Sequence, residues 1–188
     1  MTTDSLPTTA STTPAPGRWV VDPTHSSVEF VVRHLFSRMR GRFNDYEGVV
    51  VIDEDPSRST VEAVVRTGSV DTAIAARDEH LRGEEFLQAD QFPEMRFRST
   101  GVRLTGDDRG EIDGELEIRG VTRTVTLTVE HLGTAGDPWG GTKACLSAYT
   151  EIDREEFGVS GNSPLPAGGL LVGRTVRIEL NVELTQEA

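Results

Sequence analysis

Hydrophobic and polar residues alternate with a period of two over most of this chain, which predicts extended strands rather than helices. In the segment that ends at Leu184, every second residue from Val176 onward is aliphatic. We expect that segment, Thr175–Leu184, to be a strand. Equally regular alternation marks four other expected strands: Ser26–His34, Glu111–Ile118, Val121–Val129 and Thr142–Ile152.

Turn signals separate these segments and define further strands. We expect strands over Arg42–Ile52 and Ser59–Val70, joined by the polar, proline-containing turn at Asp53–Ser57, and a turn or short helix over Leu35–Arg40. The residues Arg119 and Gly120 fit a two-residue hairpin. In the strand Met95–Leu104 the apolar face changes near Gly101, which predicts a β-bulge.

One segment, Arg77–Phe97, does not alternate, and its charged residues crowd around a few apolar ones. We expect a short helix there, capped by Asp71 or Thr72 and ended by Gly83 with a positive φ, then a second turn over Glu84–Ala89. Within an antiparallel sheet protein, this crossover needs an apolar surface to cover, such as the open end of a barrel. The residues that would cover it are Leu81, Phe86, Leu87 and Phe92.

About eight strands without a long helical pattern predict an all-β fold, an antiparallel barrel or a sandwich. Eight strands suit a barrel that holds one small ligand. Several residues of the expected inward face are small, which favours a cavity, although a packed core of Val and Ala is the alternative; they are Ala63, Gly114, Ala144 and Ala148. The Gly- and Pro-rich segment Arg154–Gly173 is typical of a lid or mouth.

The composition of the chain disfavours several classes of binding partner. The net charge of −12 disfavours nucleic acid and anionic membrane surfaces as partners, and no apolar run is long enough to span a bilayer. The single cysteine, Cys145, excludes an intramolecular disulfide and is expected to be a strand residue rather than a nucleophile. Residues 1–17 are rich in Thr, Ser, Pro and Ala, so we expect a disordered tail without secretory character, followed by one domain over residues 18–188, in the cytoplasm.

Two sites invite a chemical interpretation. Arg77-Asp78-Glu79-His80 contains two carboxylates beside an imidazole, but neighbouring helix positions point in different directions, so we expect neither catalysis nor a metal there. A buried ion pair of Arg77 or Asp78 with Asp153 or Arg154 is the expected use. We expect His25 to organise a turn through backbone contacts.

Several short sequence motifs between Arg18 and Leu184 resemble those of the YceI-like family in their order and approximate spacing. Each motif is weak alone, but together they are specific. They are Asp22-Pro23-Thr24-His25-Ser26, Phe30-Val31-Val32-Arg33-His34, Gly41-Arg42-Phe43, Ser69-Val70-Asp71-Thr72, Arg77-Asp78-Glu79-His80-Leu81, Phe92-Pro93, Phe97-Arg98-Ser99, Ile118-Arg119-Gly120-Val121-Thr122, Ile152-Asp153-Arg154 and Phe157-Gly158.

This resemblance implies an eight-stranded antiparallel, lipocalin-like barrel, closed at one side by short helices, that binds a polyisoprenoid or similar long amphiphile without a cofactor. We expect a carrier, storage or sequestering protein that could pair as a homodimer and does not insert stably into membranes. Candidate donors for a polar head are Arg33, His34, Arg77, His80 and Arg154. The predicted ligand-binding residues are Val28, Phe30, Val32, His34, Arg77, His80, Met95, Phe97, Leu116, Leu127, Leu146 and Ile178.

Two alternatives remain open on the sequence. An enzyme acting on such a lipid could use Asp78, Glu79 or His80 to hydrolyse a head group. A stress-related interaction protein would instead have a barrel filled by its own side chains.

Overall fold

A computed structural model describes residues 14–187, and thus most of the predicted disordered tail lies outside the described residues. One α-helix, α1 (Ala75–Arg82), lies between the sixth and seventh strands, and the chain makes short 3-10 turns at Pro56–Arg58, Thr67–Ser69 and Arg154–Phe157. The strands are β1 (Gly17–Val21), β2 (Ser27–His34), β3 (Ser37–Phe43), β4 (Tyr46–Ile52), β5 (Thr60–Arg66), β6 (Val70–Asp71), β7 (Glu94–Leu104), β8 (Arg109–Ile118), β9 (Val121–Gly136), β10 (Thr142–Asp153) and β11 (Val172–Gln186).

Eight of these strands form a closed antiparallel barrel in the order β1-β4-β5-β7-β8-β9-β10-β11, because β1 also pairs with β11. The long strand β11 has two partners along the same edge. Its last part pairs with β1, whereas its first part pairs with β2, which carries β3 and β6 beyond it. The predicted all-β barrel of eight strands is therefore confirmed, and a short sheet extension widens one of its ends.

The hairpin and the β-bulge predicted between β7 and β9 are both present in the structure. Arg119 and Gly120, both with positive φ, join β8 to β9 as a two-residue hairpin of the kind that matches strand twist. The pairing of β7 with β8 shifts register between Ser99 and Gly101, which is the predicted bulge.

The strand boundaries before the crossover were predicted incorrectly. Over residues 35–40 the expected turn is limited to Leu35 and Phe36, and β3 already starts at Ser37. The expected strand Arg42–Ile52 is divided between β3 and β4, and the expected strand Ser59–Val70 ends at Arg66 in a 3-10 turn. In β3, arginines alternate with Met39, Gly41 and Phe43, so the period-two pattern is present but its inward face is interrupted by a glycine.

The helix of the crossover exists, but its predicted ends were wrong in detail. Ile74 is the N-cap and provides no side-chain cap, while Asp71 accepts the backbone N–H of Ala73 at 2.8 Å. Gly83 does end the helix, with a φ of −69° rather than a positive value. The following residues form turns rather than a second helical turn.

The hydrophobic core is divided between the two ends of the barrel. At one end Trp19, Ala144 and Leu184 are fully buried and pack against Val50 and Leu146, which closes that end. At the other end, where α1 crosses, a larger cluster lies beneath the crossover and the loop after β10. Its buried members are Phe43, Val70, Met95, Ile118, Ile152, Phe157 and Val159.

Within residues 14–187, no helix is long and apolar enough to cross a membrane.

Candidate functional site

A cavity of about 480 Å³ lies inside the barrel between the Trp19 cluster and the crossover. Its volume is in the range of small-molecule sites, which is roughly 300–1,000 Å³. Strand alternation builds its wall, since Val176, Ile178, Leu180, Val182 and Leu184 of β11 all face it. The interior is therefore a largely apolar tube and is not filled by the protein's own side chains.

Two phenylalanine rings of this wall pack directly against glycines, which leave room for them. A Cβ atom on Gly41 would lie 2.3 Å from the ring of Phe30, its cross-strand partner. A Cβ on Gly114 would lie 2.3 Å from the ring of Phe97. These close approaches allow large aromatic side chains to line the cavity without blocking it.

The structure places every predicted ligand-binding residue on the cavity wall, although contact with a ligand stays a prediction for each of them. The set is Val28, Phe30, Val32, His34, Arg77, His80, Met95, Phe97, Leu116, Leu127, Leu146 and Ile178. Of the four small residues expected to face inward, Ala63 and Ala148 line the cavity, whereas Ala144 is buried in the Trp19 cluster and Gly114 lies under Phe97.

The crossover covers one end of the cavity with Leu81, Phe86 and Leu87. Phe92 lies outside the cavity and packs against Gly120 of the β8–β9 hairpin, since a Cβ there would be 3.2 Å from its ring. Sequence reasoning missed the apolar residues contributed by the misassigned strand and by the loop after β10. These are Met39, Phe43, Phe157, Val159, Leu171 and Val172.

Hydrogen bonds hold the crossover in place. The buried carboxylate of Asp78 accepts the backbone N–H of Thr72 at 2.8 Å and also its hydroxyl. Arg77 donates to the hydroxyl and carbonyl oxygens of Thr72, and Arg82 donates to the carbonyls of Gly68 and Val70. The expected ion pair with Asp153 or Arg154 was wrong, because Asp78 is satisfied within its own segment.

The side chains of Asp78, Glu79 and His80 on α1 each have a different partner. Asp78 points inward to Thr72, Glu79 is exposed and contacts Arg82 at 3.4 Å, and the Nε2 atom of His80 lies 2.9 Å from Glu85. The three side chains thus diverge, because consecutive helix positions face different directions.

Arg154 is the most unusual polar residue of the cavity wall. Its side chain is buried, Nε donates to the carbonyl of Gly173 at 2.8 Å, and Nη1 donates to the carbonyl of Val159 at 2.6 Å. Burial lowers the pKa of this guanidinium from its ordinary value. Asp153 binds Arg174 at 2.7 Å instead.

A second charged cluster lies outside the cavity, at the closed end. Lys143 donates to Asp22 at 2.8 Å and lies 3.1 Å from Glu183, and His25 lies 3.1 Å from Asp22. These contacts, led by Lys143, hold the pKa of Asp22 well below its usual range and raise that of Lys143. His25 does organise the turn, but its ring binds the side chains of Asp22 and Thr24 rather than backbone groups.

Cys145 is a strand residue, as expected, and its thiol is partly shielded from solvent. It is partly buried on β10 and lies 4.0 Å from a carboxylate oxygen of Glu183. Burial and this carboxylate raise the pKa of the thiol, so little thiolate is present at neutral pH.

Comparisons with known proteins agree with this architecture. The chain is 41% identical to Protein YceI of Salmonella arizonae over 138 residues, which cover 72% of each protein. Among solved structures, BcnA of Burkholderia cenocepacia matches with a TM-score of 0.74 and 20% identity over 87% of this chain and 98% of the other. A polyisoprenoid binding domain from Saccharophagus degradans matches with a TM-score of 0.66 and 15% identity, over 90% of this chain and 98% of that domain.

At these identities, the two structural matches establish the barrel fold. The family follows from the sequence itself, since the model of the YceI-like domain matches residues 19–184, essentially the whole barrel. The chain therefore belongs to the YceI-like family.

Proposed function

We propose that this protein is a non-enzymatic carrier or sequestering protein that binds a polyisoprenoid or a similar long-chain amphiphile inside its barrel. The observation that carries the proposal is the apolar cavity of about 480 Å³, which is closed by Trp19 at one end and covered by the crossover at the other. The related Saccharophagus fold, described as a polyisoprenoid binding domain, supports the same ligand class.

The energetics favour a long apolar tail as the main source of affinity. Each methylene moved from water into the cavity contributes about 0.8 kcal/mol, so a tail of about 16 carbons contributes roughly 13 kcal/mol. This gain offsets an association cost of about 4–15 kcal/mol, and polar contacts then determine which head group is accepted. A tube of Val, Ile and Leu side chains supplies such burial without directed bonds.

The diverging side chains of Asp78, Glu79 and His80 give no support to a hydrolytic site. Alanine at these three positions tests the enzyme alternative directly. The carrier proposal expects no turnover of a prenyl lipid by the unmodified protein. Turnover that is lost in these variants while lipid binding is retained would establish an enzyme.

The proposed binding site can be tested by filling the cavity. Ala148 faces the cavity between its cross-strand partners Val129 and Leu180, so Ala148→Phe places a ring in the lumen. The matched control is Ser147→Phe, which adds the same ring at the neighbouring position outside the cavity lining.

We expect Ala148→Phe to remain folded by circular dichroism and to lose most binding of geranylgeraniol, while Ser147→Phe binds as the unmodified protein does. Equal binding by all three folded proteins would show that the lumen is not the site.

The domain boundaries and location belong to the same proposal. We propose that residues 18–188 form the complete lipid-binding unit and that the protein acts in the cytoplasm. Equal lipid affinity of the full chain and of residues 18–188 would support the first statement, and fractionation of native cells tests the second.

A further inference from the structure

Arg154 lines the cavity, and its side chain has one buried hydrogen-bond donor that is unused. The residue is only 4% exposed, and Nε and Nη1 are occupied by the carbonyl oxygens of Gly173 and Val159. The third nitrogen, Nη2, is buried without a hydrogen-bond partner anywhere in residues 14–187. A buried polar group in this state is uncommon and calls for a physical reason.

The charge of Arg154 is also left without a direct counterion. The structure contains no ion pair between Arg154 and a carboxylate of residues 14–187, and the neighbouring acids Asp153 and Glu155 bind the exposed Arg174 at 2.7 and 3.1 Å. A guanidinium keeps its positive charge in proteins, so this side chain is a buried cation that no carboxylate of residues 14–187 contacts directly.

Two other cationic candidates of the cavity wall have protein partners. Arg77 donates to two oxygens of Thr72, and His80 lies 2.9 Å from Glu85. Arg154 is therefore distinguished from both by its burial and its free donor.

We propose that Nη2 of Arg154 binds the carboxylate of an acidic single-chain lipid whose tail occupies the cavity. This inference rests on the proposed lipid-binding function and specifies its head group and orientation. A carboxylate supplies both the missing acceptor and one negative charge, which neutralises one guanidinium. An alcohol would satisfy the donor and leave the buried charge uncompensated.

The orientation follows from where Arg154 lies. It begins the 3-10 turn after β10, beneath the crossover, whereas the Trp19 cluster closes the opposite end. The head group is thus held near α1 and the tail extends along β11 toward Leu184.

The test compares acids with alcohols of equal chain length on the full, delipidated protein. The matched pairs are palmitic acid with cetyl alcohol and geranylgeranoic acid with geranylgeraniol, measured by native mass spectrometry in competition at mildly alkaline pH. The variants are Arg154→Met, Arg154→Lys and the control Arg119→Met. Arg119 also donates to backbone carbonyls near this end, those of Phe86 and Gly158, but does not line the cavity.

We expect the unmodified protein and Arg119→Met to prefer the acid by about tenfold or more, the effect of one charge-assisted hydrogen bond. Arg154→Met should bind the alcohol and lose the preference, and Arg154→Lys should keep part of it. If Arg154→Met does not fold, the role of Arg154 is tested by comparing the acid–alcohol preference of Arg154→Lys with that of the unmodified protein.

Equal binding of acid and alcohol by the unmodified protein, or an unchanged preference in folded Arg154→Met, would overturn the role of Arg154 and leave the lipid-binding function standing. Rejection of all four lipids would overturn the proposed function itself, and with it this inference.

Discussion

At the scale of single residues, the two tryptophans show how position rather than type determines a contribution to stability. Trp19 is fully buried against Ala144 and Leu184, and its indole N–H donates to the carbonyl of Ala15 at 3.0 Å. Trp139 is 89% exposed. The first closes one end of the barrel, and the second contributes little packing.

Replacing Trp19 by alanine should therefore destabilise the protein by about 3–5 kcal/mol, because it removes a large buried side chain and opens a cavity. Urea denaturation followed by circular dichroism measures this change. Trp139→Ala is the matched control and should stay within about 0.5 kcal/mol of the unmodified protein. Similar losses for the two variants would contradict the closing role of Trp19.

The ion cluster around Asp22 predicts a pH dependence. Since Lys143 and then Thr24 and His25 lower the pKa of Asp22 in the native state, the unfolded chain binds a proton more readily. The stabilisation is full above the unfolded pKa of about 3.9 and is lost as pH falls toward the native pKa. Free energies of unfolding from urea titrations should therefore decrease below about pH 5.

Asp22→Asn should flatten this acid-side decrease, because the titrating group is gone. Glu54→Gln, which removes an exposed carboxyl in the turn between β4 and β5, serves as the control. If the asparagine variant followed the same pH curve as the unmodified protein and the control, Asp22 would not be the group responsible.

At the scale of elements, the crossover depends on one buried carboxylate. Asp78→Ala leaves the N–H and hydroxyl of Thr72 without their acceptor, and we expect a loss of about 2 kcal/mol together with faster amide exchange in α1. Hydrogen exchange with mass spectrometry resolves the helix from the barrel strands. Glu79→Ala, at an exposed position of the same helix, should leave exchange nearly unchanged; equal protection in both variants would refute the anchoring role.

The strands of the barrel were predictable because one face of each is buried, which imposes a two-residue period. That period identified β8, β10 and β11 and placed Leu116, Leu146 and Ile178 on the cavity wall. β3 was missed because Gly41 interrupts its apolar face, and that glycine is explained by tertiary contacts, chiefly the ring of Phe30 on the neighbouring strand and also the methyl group of Thr72.

The contacts of the loops were less predictable, since they depend on where each loop docks. The carboxylate of Asp78 accepts a hydrogen bond from Thr72, six residues earlier in the chain. It does not form the ion pair with the distant Arg154 that its charge suggested. Arg154 could be named as a candidate donor from its charge, but its free Nη2 follows from the positions of the carbonyls of Gly173 and Val159. No local pattern encodes those positions.

At the scale of the whole molecule, the two ends of the barrel are closed by different kinds of interaction. The Trp19 cluster closes one end with packed apolar side chains, while the crossover covers the other with hydrogen bonds that a local opening could break. Between them lies a largely apolar lumen that strand pairing holds open. This division suits a protein that keeps a long tail out of water and releases it at the crossover end.

The most direct test of this account is mass spectrometry of the organic extract from protein purified gently from its native source, with lipid quantified per chain. An unrelated acidic protein carried through the same purification is the control. The account predicts close to one long-chain lipid per chain, absent from the control. A folded protein that carries no lipid, and that also takes up neither prenyl nor acyl lipids when they are added, would contradict it.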